Sequence, residues 1–348
     1  MPGKFPRRGI VSGLCLGLMA TGALATAVPT QADAPDGSFR GVVTSMDGSS
    51  ESASPSKTSL VVTPHPDDEF EMWSLIEGST DNYKVFLVTT RGEQTGACRP
   101  ETTADWLQEE LGEVPPTPTP QGRWTTSCSD ARMNSMLGFL TAMSEHDPSV
   151  PGDWSESRDI GPFPAEGVDV CRDDNGTQVC TAAQRTARVW LDQQGRGAVV
   201  SWDLGDGDLT AAEADWAIRT TLAERDALGL PVQDVHNALG GFSNTGQYDC
   251  HVYAHNDHRA VHVALWSGSY GIRYHAGATC ADDPSMSREE TVTAASADAA
   301  FEVGAGGERI GAFARHYGWL HLSYYRLDRS GQDQVFHTHQ KFWIRRNG

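Results

Sequence analysis

The sequence predicts an α/β protein with parallel β-strands, and three observations carry this prediction. Two short apolar runs rich in β-branched residues, Leu60-Val61-Val62 and Val85-Phe86-Leu87-Val88, are typical of buried strands. The acidic segment between them, residues 67–77, is compatible with a helix, so the three pieces form a β-α-β unit. Ala198-Val199-Val200 begins another such strand. Because ligands of parallel sheets bind beyond the carboxyl ends of the strands, the residues that follow these runs matter most.

Two helices are predicted further along the chain. One runs from Asp130 to about Met143. The other starts at Thr210, where Glu213 completes a capping box, and stops at Gly229. Strands and helices therefore continue to alternate.

The beginning of the chain has the pattern of an export signal. Lys4, Arg7 and Arg8 precede an apolar stretch from residue 10 to about residue 28, and small residues follow where a signal peptidase would cut. A membrane anchor is the alternative, but Gly, Ser and Thr interrupt the stretch. We therefore expect residues 1–34 to be a signal peptide and the mature protein to be secreted.

A linker and one domain are expected after the signal. Residues 35–57 are rich in Ser, Gly, Asp and Pro and lack a periodic apolar pattern, which predicts a flexible linker. Residues 58–348 form the predicted domain. Two irregular loop insertions interrupt it, at about 99–128 and 146–186.

Six of the seven cysteines lie outside the signal stretch, and an even number in an exported chain indicates disulfide bonds. Sequence alone leaves many pairings open, and we predict the nearest-neighbour set. Cys171 and Cys180 are favoured because Asn175-Gly176 between them suits a tight hairpin turn. The other predicted pairs are Cys98–Cys128, which would fasten the first insertion, and Cys250–Cys280.

The charge of the chain limits its partners. A formal net charge of −19 argues against nucleic acid, since a phosphate backbone requires a basic surface. Outside the signal, no apolar run reaches the length of a membrane span, so we expect no stable membrane anchor.

One imidazole and three carboxylates crowd together after the first strand, in His65-Pro66-Asp67-Asp68-Glu69. Like charges this close are costly unless a cation or a proton neutralises them. The economical interpretation is a metal bound by His65 and Asp68, with Asp67 beside it. The alternative is that the acidic residues favour a helix N-terminus through the helix macrodipole.

A second cluster, His255-Asn256-Asp257-His258, begins a segment that suits a packed helix. Its two histidines are three positions apart and share a helix face. Together the clusters offer two histidines and a carboxylate for one metal, with a histidine and a carboxylate left over. Three protein ligands and an open position for water are typical of a catalytic metal site.

The two clusters and Arg91-Gly92-Glu93, which follows the second strand, resemble the signature regions of the PIG-L/LmbE family of zinc-dependent N-acetylglucosaminyl deacetylases. The resemblance spans roughly residues 59–266 in the family's order. It implies a Rossmann-like, mostly parallel sheet with helices on both faces and the disulfide-fastened insertions outside the shared core. Pro64 and Asn256 depart from the family's usual Ala and Pro, but neither side chain has a chemical role there.

The resemblance implies a metal site and a base. His65, Asp68 and His258 would bind one zinc ion per chain, although the same ligands also suit ferrous iron. Asp67 would match the family's general base and accept a proton from the attacking water.

Four further residues would have supporting roles by the same resemblance. His255 would stabilise the tetrahedral intermediate, and Asp257 would orient a neighbouring histidine. Arg91 would contact sugar hydroxyls, and Tyr253 would lie near the oxyanion.

The expected function is removal of the N-acetyl, or another N-acyl, group from an N-acetylglucosamine-type amino sugar in a glycan, glycoconjugate or glycosylated natural product. One alternative is a zinc amidase that acts on a non-sugar or longer-chain amide. Another is a non-catalytic carbohydrate- or metal-binding protein. Asp67 and His255 argue against the last alternative, since zinc binding alone needs neither.

Overall fold

In the part of the chain that the structure describes, the β-strands form a nine-stranded sheet and a separate two-stranded hairpin. The computed structural model describes residues 55–99, 115–165, 170–174, 177–181, 184–231, 234–240, 255–278, 287–308, 310–320 and 338–346. All of them lie in one compact unit, Arg40–Gly348. The strands are β1 (Lys57–Thr63), β2 (Asn82–Val88), β3 (Arg158–Pro164), β4 (Val170–Asp174), β5 (Thr177–Thr181), β6 (Gln184–Leu191), β7 (Gly197–Ser201), β8 (Val235–Gly240), β9 (Tyr274–Ala278), β10 (Ser287–Thr291) and β11 (His339–Arg346).

The helices in the described part of the chain vary from one turn to twenty-one residues. A 3₁₀ turn (Asp68–Met72) leads directly into the first of them. They are α1 (Trp73–Ile76), α2 (Thr126–His146), α3 (Ala211–Ala223), α4 (Arg225–Leu228), α5 (Asn256–Ser267), α6 (Ala294–Phe301) and α7 (Ala312–Tyr317). The capping box predicted at the start of α3 is confirmed, because Thr210 and Glu213 exchange side-chain and backbone hydrogen bonds.

The large sheet has the strand order β10-β11-β9-β8-β1-β2-β7-β6-β3. The five central strands, from β9 to β7, are parallel, whereas the pairs on both flanks are antiparallel. The α/β class is therefore confirmed, but the prediction of a mostly parallel sheet is correct only for its centre. The short connection between β6 and β7 explains why this flank is antiparallel. Only residues 192–196 join the two strands, too few for the crossover that a parallel pair requires.

The side of the sheet on which the chain adds new strands reverses at β1. The chain adds β2 and then β7 on one side of β1, and later adds β8 and β9 on the other. In open α/β sheets such a reversal leaves a crevice beyond the carboxyl ends of the strands, where ligands bind. The segments that follow β1, β2 and β7 leave the sheet at this edge.

Both faces of the central sheet are covered. Leu60 and Val85 face a core that they share with Ala217 of α3 and Val261 of α5. Alternate residues of each strand point to the opposite face, and these are also buried. On that second face the side chain of Lys84 donates to the carbonyl of Ser149, which follows α2. Helices α3 and α5 therefore lie against one face, and the connection after α2 lies against the other.

The second predicted insertion is more regular than expected. It contains β3, an edge strand of the large sheet, and the β4–β5 hairpin. Cys171 lies directly opposite Cys180 in the register of this hairpin. The residues of its turn, 175 and 176, lie outside the described residues.

One predicted disulfide is confirmed, since Cys98 and Cys128 are bonded and both are fully buried. The bond links the loop after β2 to the first turn of α2. Cys250 and Cys280 lie outside the described residues, as do the predicted signal peptide and all but the end of the predicted linker. Among the helices that are described, none combines the length and the apolar character needed to cross a membrane.

Candidate metal centre

The charged residues of both sequence clusters meet at the carboxyl edge of the central strands. His65 lies just after β1, and His255, Asp257 and His258 lie at the start of α5. Asp206, which follows β7, joins them. Three distant segments therefore bring imidazoles and carboxylates to one place.

Asp67 and Asp68 do not cap the helix that follows them. Asp67 is the N-cap residue of the 3₁₀ turn, but its side chain forms no capping hydrogen bond. Its Oδ1 instead accepts a hydrogen bond of 2.6 Å from Nη2 of Arg132. The carboxylate of Asp68 faces the imidazoles of His65 and His258. The carboxylates of Asp67 and Asp68 are thus directed at basic groups, which favours the metal interpretation over the macrodipole one.

His65, Asp68 and His258 lie close together, and we call them the ligand triad because they could hold a metal ion. Nδ1 of His65 lies 3.2 Å from Oδ2 of Asp68, and Nε2 of His258 lies 3.4 Å from Oδ1 of the same carboxylate. All three residues are buried, and one ligand atom from each lies within 4.8 Å of the others. The backbone N–H of His65 also donates to Asp68 Oδ2 (2.8 Å), which orients the carboxylate.

A second group of potential ligands meets the other edge of the His65 ring. Nε2 of His65 lies 3.2 Å from Oδ1 of Asp206 and 3.1 Å from Oδ2 of Asp257. Together with His255, these residues can also hold a metal ion. His65 therefore presents one nitrogen to the ligand triad and the other to a pair of carboxylates. A metal-bound histidine commonly donates its second N–H to a carboxylate in this way, which fixes its orientation.

The cluster attracts positive charge strongly. Burial alone would lower the pKa of His65, but hydrogen bonds with Asp206, Asp257 and Asp68 raise it well above its ordinary value. Burial would likewise raise the pKa of Asp68, but the charges of His258 and His65 keep it below its usual range. The pKa of Asp206 is also lowered, against the effect of burial, by His65. A proton on His65 thus supplies the positive charge that a metal cation would supply instead.

The donor set of the ligand triad fits a metal by its chemistry and its spacing. Two imidazole nitrogens and one carboxylate oxygen suit zinc and also ferrous iron. Bonds of roughly 2.0–2.1 Å in a tetrahedral site place the ligand atoms about 3.3 Å apart. The separations of 3.2 and 3.4 Å within the triad agree with this spacing.

His255 is a neutral imidazole that carries its ring proton on Nε2. Burial, together with the positive charge of His65, lowers its pKa to about 4, so the ring is neutral at pH 7. The residue is the N-cap of α5, and its Nδ1 accepts the backbone N–H of Asp257 at 3.4 Å. With Nδ1 as the acceptor, the ring proton lies on Nε2.

Asp67 lies beside the cluster, since it belongs to neither group of potential metal ligands. Its φ of 136° falls in a region that favours glycine, at a typical cost of about 1–3 kcal/mol. Arg132 of α2 helps to hold it there. The guanidinium donates to Asp67 Oδ1 and also to the carbonyls of Pro66 (2.8 Å) and Gly92 (2.6 Å). One side chain therefore joins the loops that follow β1 and β2.

Arg91, predicted to contact sugar hydroxyls, lies at the same edge after β2. Its guanidinium lies 3.2 Å from the Asp203 carboxylate and 3.4 Å from Oγ of Ser129. The Arg91 side chain is 23% exposed and that of Asp203 is 40% exposed, so both are accessible to a ligand. Tyr253, the remaining predicted site residue, lies outside the described residues.

Sequence reasoning missed Asp206 and Arg132. Asp206 had a usable signal, because it belongs to an acidic segment that ends a predicted parallel strand, the same position that His65 has after β1. Arg132 had no local signal, since it is an ordinary helical position that meets Asp67 only in the folded protein.

Comparisons with known proteins identify no relative of this chain. No protein-family model matches the chain, and neither the curated proteins nor the solved structures provide a significant match.

Proposed function

We propose that this chain is a secreted, metal-dependent N-deacetylase of the PIG-L/LmbE type that acts on an N-acetylglucosamine-type amino sugar. The observation that carries the proposal is the arrangement of the residues around His65. Three buried residues form a ligand triad, Asp67 lies beside the triad without joining it, and His255 faces the same cluster as a neutral imidazole. The parallel core with its winding reversal at β1 supports the Rossmann-like arrangement that the resemblance implies.

His65, Asp68 and His258 would hold the metal, zinc or ferrous iron. When bound, such an ion supplies a Lewis acid for the amide carbonyl and makes a nearby water more acidic. Asp206 and Asp257 would keep His65 oriented by accepting its Nε2 proton, which matches the orienting role expected of Asp257.

Asp67 would accept a proton from the attacking water. The water oxygen forms a bond to the carbonyl carbon, the C–N bond breaks, and the amine leaves with a proton returned from Asp67. Arg132 holds one carboxylate oxygen of Asp67, which fixes the direction of the other. The products are a carboxylate, acetate for the expected substrate, and the free amino sugar.

His255 would donate from Nε2 to the oxygen that becomes negative as water adds to the amide. A donor directed at that oxygen in a water-poor site typically contributes a few kcal/mol to catalysis. Because the pKa of His255 is about 4, it would act as a neutral donor across the physiological pH range. Arg91, with Asp203 beside it, would bind hydroxyl groups of the sugar.

The test is acetate release from a panel of N-acetylated sugars, measured for the wild type and for Asp67→Asn. The amide keeps the oxygen that Arg132 binds but cannot accept a proton, so we expect turnover to fall by about 10²–10⁴-fold with metal content unchanged. Asp81→Asn is the matched control, since Asp81 pairs with Lys57 (2.9 Å) at the opposite end of the strands.

Any other outcome of this test argues against Asp67 as the base or favours one of the alternative functions. Near-normal turnover of Asp67→Asn excludes Asp67 as the base. Wild-type activity on non-sugar or longer-chain amides, without activity on the sugars, favours a zinc amidase of different specificity. Stoichiometric metal or sugar binding without hydrolysis of any amide favours a non-catalytic binding protein.

A further inference from the structure

The backbone of Asp67 is held in an unfavourable conformation by a buried carboxyl group. Asp67 has a φ of 136°, which a residue with a side chain rarely adopts. Its backbone N–H donates to Oε2 of Glu69 at 3.1 Å. This hydrogen bond closes the tight turn between β1 and the 3₁₀ turn, so the direction of the Asp67 carboxylate depends on where Glu69 lies.

Glu69 is in turn held by Tyr317, which belongs to α7. The Tyr317 hydroxyl donates to the other carboxyl oxygen, Oε1 of Glu69, in a short hydrogen bond. Both side chains are fully buried. Tyr317 lies far beyond the part of the chain that resembles the deacetylase family.

The ring of Tyr317 has little freedom to move. It packs against Phe139 of α2 and Phe313 of α7, with ring centroids 5.3 and 5.0 Å away. A packed aromatic ring fixes the position of its hydroxyl, which then selects one position for the Glu69 carboxyl group. A continuous chain of contacts therefore runs from the aromatic core to the proposed base.

We propose that Tyr317 is a positioning residue, which acts through Glu69 to keep Asp67 directed at the reacting water. The inference rests on the proposed function, because it assigns Asp67 the role of base. Tyr317 touches neither substrate nor metal in this scheme. Its hydroxyl affects the rate through the geometry of Asp67 and leaves the ligand triad intact.

Tyr317→Phe tests the proposal, since it removes the hydroxyl and keeps the packed ring. We expect kcat for acetate release to fall about tenfold, with KM and the affinity for zinc, measured by competition with a chelator, within about twofold of the wild type. Glu69→Gln retains an acceptor for the Asp67 N–H, so it should lose less activity than Glu69→Ala.

The matched control is Tyr270→Phe. The Tyr270 hydroxyl also donates to a carboxylate, Oδ1 of Asp215 (2.8 Å), but between α5 and α3 and away from Asp67. This variant should lose a similar amount of thermal stability and keep wild-type kcat. A wild-type kcat in Tyr317→Phe overturns the proposal, and so does a loss of kcat that accompanies lost zinc affinity.

A readout without substrate separates this inference from the proposed function. Hydrogen exchange at the Asp67 amide should speed up in Tyr317→Phe and remain unchanged in Tyr270→Phe. If the wild type releases no acetate but exchange behaves this way, the proposed function is wrong and the positioning of Asp67 by Tyr317 stands. If exchange at Asp67 is the same in both variants, the positioning role is refuted.

Discussion

The two ends of the central strands both bury charged side chains, but they satisfy them differently. At the amino end, Lys84 donates to the carbonyls of Ser79 (2.6 Å) and Ser149 (2.7 Å). Nearby, Asp192 accepts the backbone N–H groups of Gly152 and Asp153 and pairs with an arginine. Backbone groups cannot leave, so the hydrogen-bond partners of these side chains are part of the fold itself.

At the carboxyl end, the carboxylates also accept backbone N–H groups, but several of them converge on a single imidazole. His65 is surrounded by Asp68, Asp206 and Asp257, and its raised pKa reflects that surplus of negative charge. The difference teaches where to look for function. Side chains whose partners are all part of the fold maintain the structure, whereas a surplus of carboxylates around one imidazole, which only a proton or a cation can balance, indicates a binding site.

The largest effect should come from removing a member of the ligand triad. His258→Ala should abolish stoichiometric metal binding. Asp206→Asn should keep one metal per chain and lower its affinity by about 10–100-fold, as is typical for a partner that only orients a ligand. Elemental analysis and chelator competition measure both. Metal retained by the first variant and lost by the second would place the ion in the group formed by His65, Asp206, His255 and Asp257.

A change at the amino end should instead affect stability alone. Asp192→Ala leaves the backbone N–H groups of Gly152, Asp153 and Arg196, and the Arg196 guanidinium, without their acceptor in a mostly buried site, which typically costs about 3–5 kcal/mol. Urea unfolding should show this loss, while metal stoichiometry stays at the wild-type value. A variant that unfolds like the wild type but binds metal poorly would contradict the distinction between the two ends.

The smallest effect, taken per pH unit, concerns how stability depends on pH. Burial lowers the pKa of Lys84 to about 7, whereas an unfolded lysine titrates near 10.4. Between these values the unfolded chain binds more protons, so Lys84 makes the folded state more stable as pH rises. The destabilisation is fully present below pH 7 and disappears as pH rises toward the unfolded value.

Lys84→Met removes this contribution. The difference in unfolding free energy, wild type minus variant, should therefore increase between pH 7 and 10, by at most about 1.4 kcal/mol per pH unit. Urea unfolding at three pH values measures it. A difference that does not change with pH would show that Lys84 keeps an ordinary pKa in its buried position.

The elements that sequence predicted are those with local signals. Strands β1, β2 and β7 have β-branched apolar runs, and α3 has its capping box. The flanking strands were missed or misjudged, because strand direction depends on partners that no local pattern specifies. Arg288 of β10, for example, pairs with Phe342, whose strand β11 lies more than fifty residues further along the chain.

In the candidate site too, some residues were predictable from local motifs and others were not. His65, Asp68 and His258 were predictable because two short motifs contain them, and the fold brings them together. Arg132 and Tyr317 were not, since each is a single residue on a helix and meets Asp67 or Glu69 only through tertiary packing. The residues that hold a site in place are harder to predict than those that would do its chemistry.

The Cys98–Cys128 bond has a practical consequence for handling the protein. Both sulfur atoms are shielded from solvent, so a thiol reagent can attack them only in molecules that have opened locally. The rate at which dithiothreitol breaks the bond therefore reports how often the loop after β2 separates from α2. Arg132 joins the same two segments, so an opening that separates them would also break its hydrogen bond to Gly92 beside the candidate site.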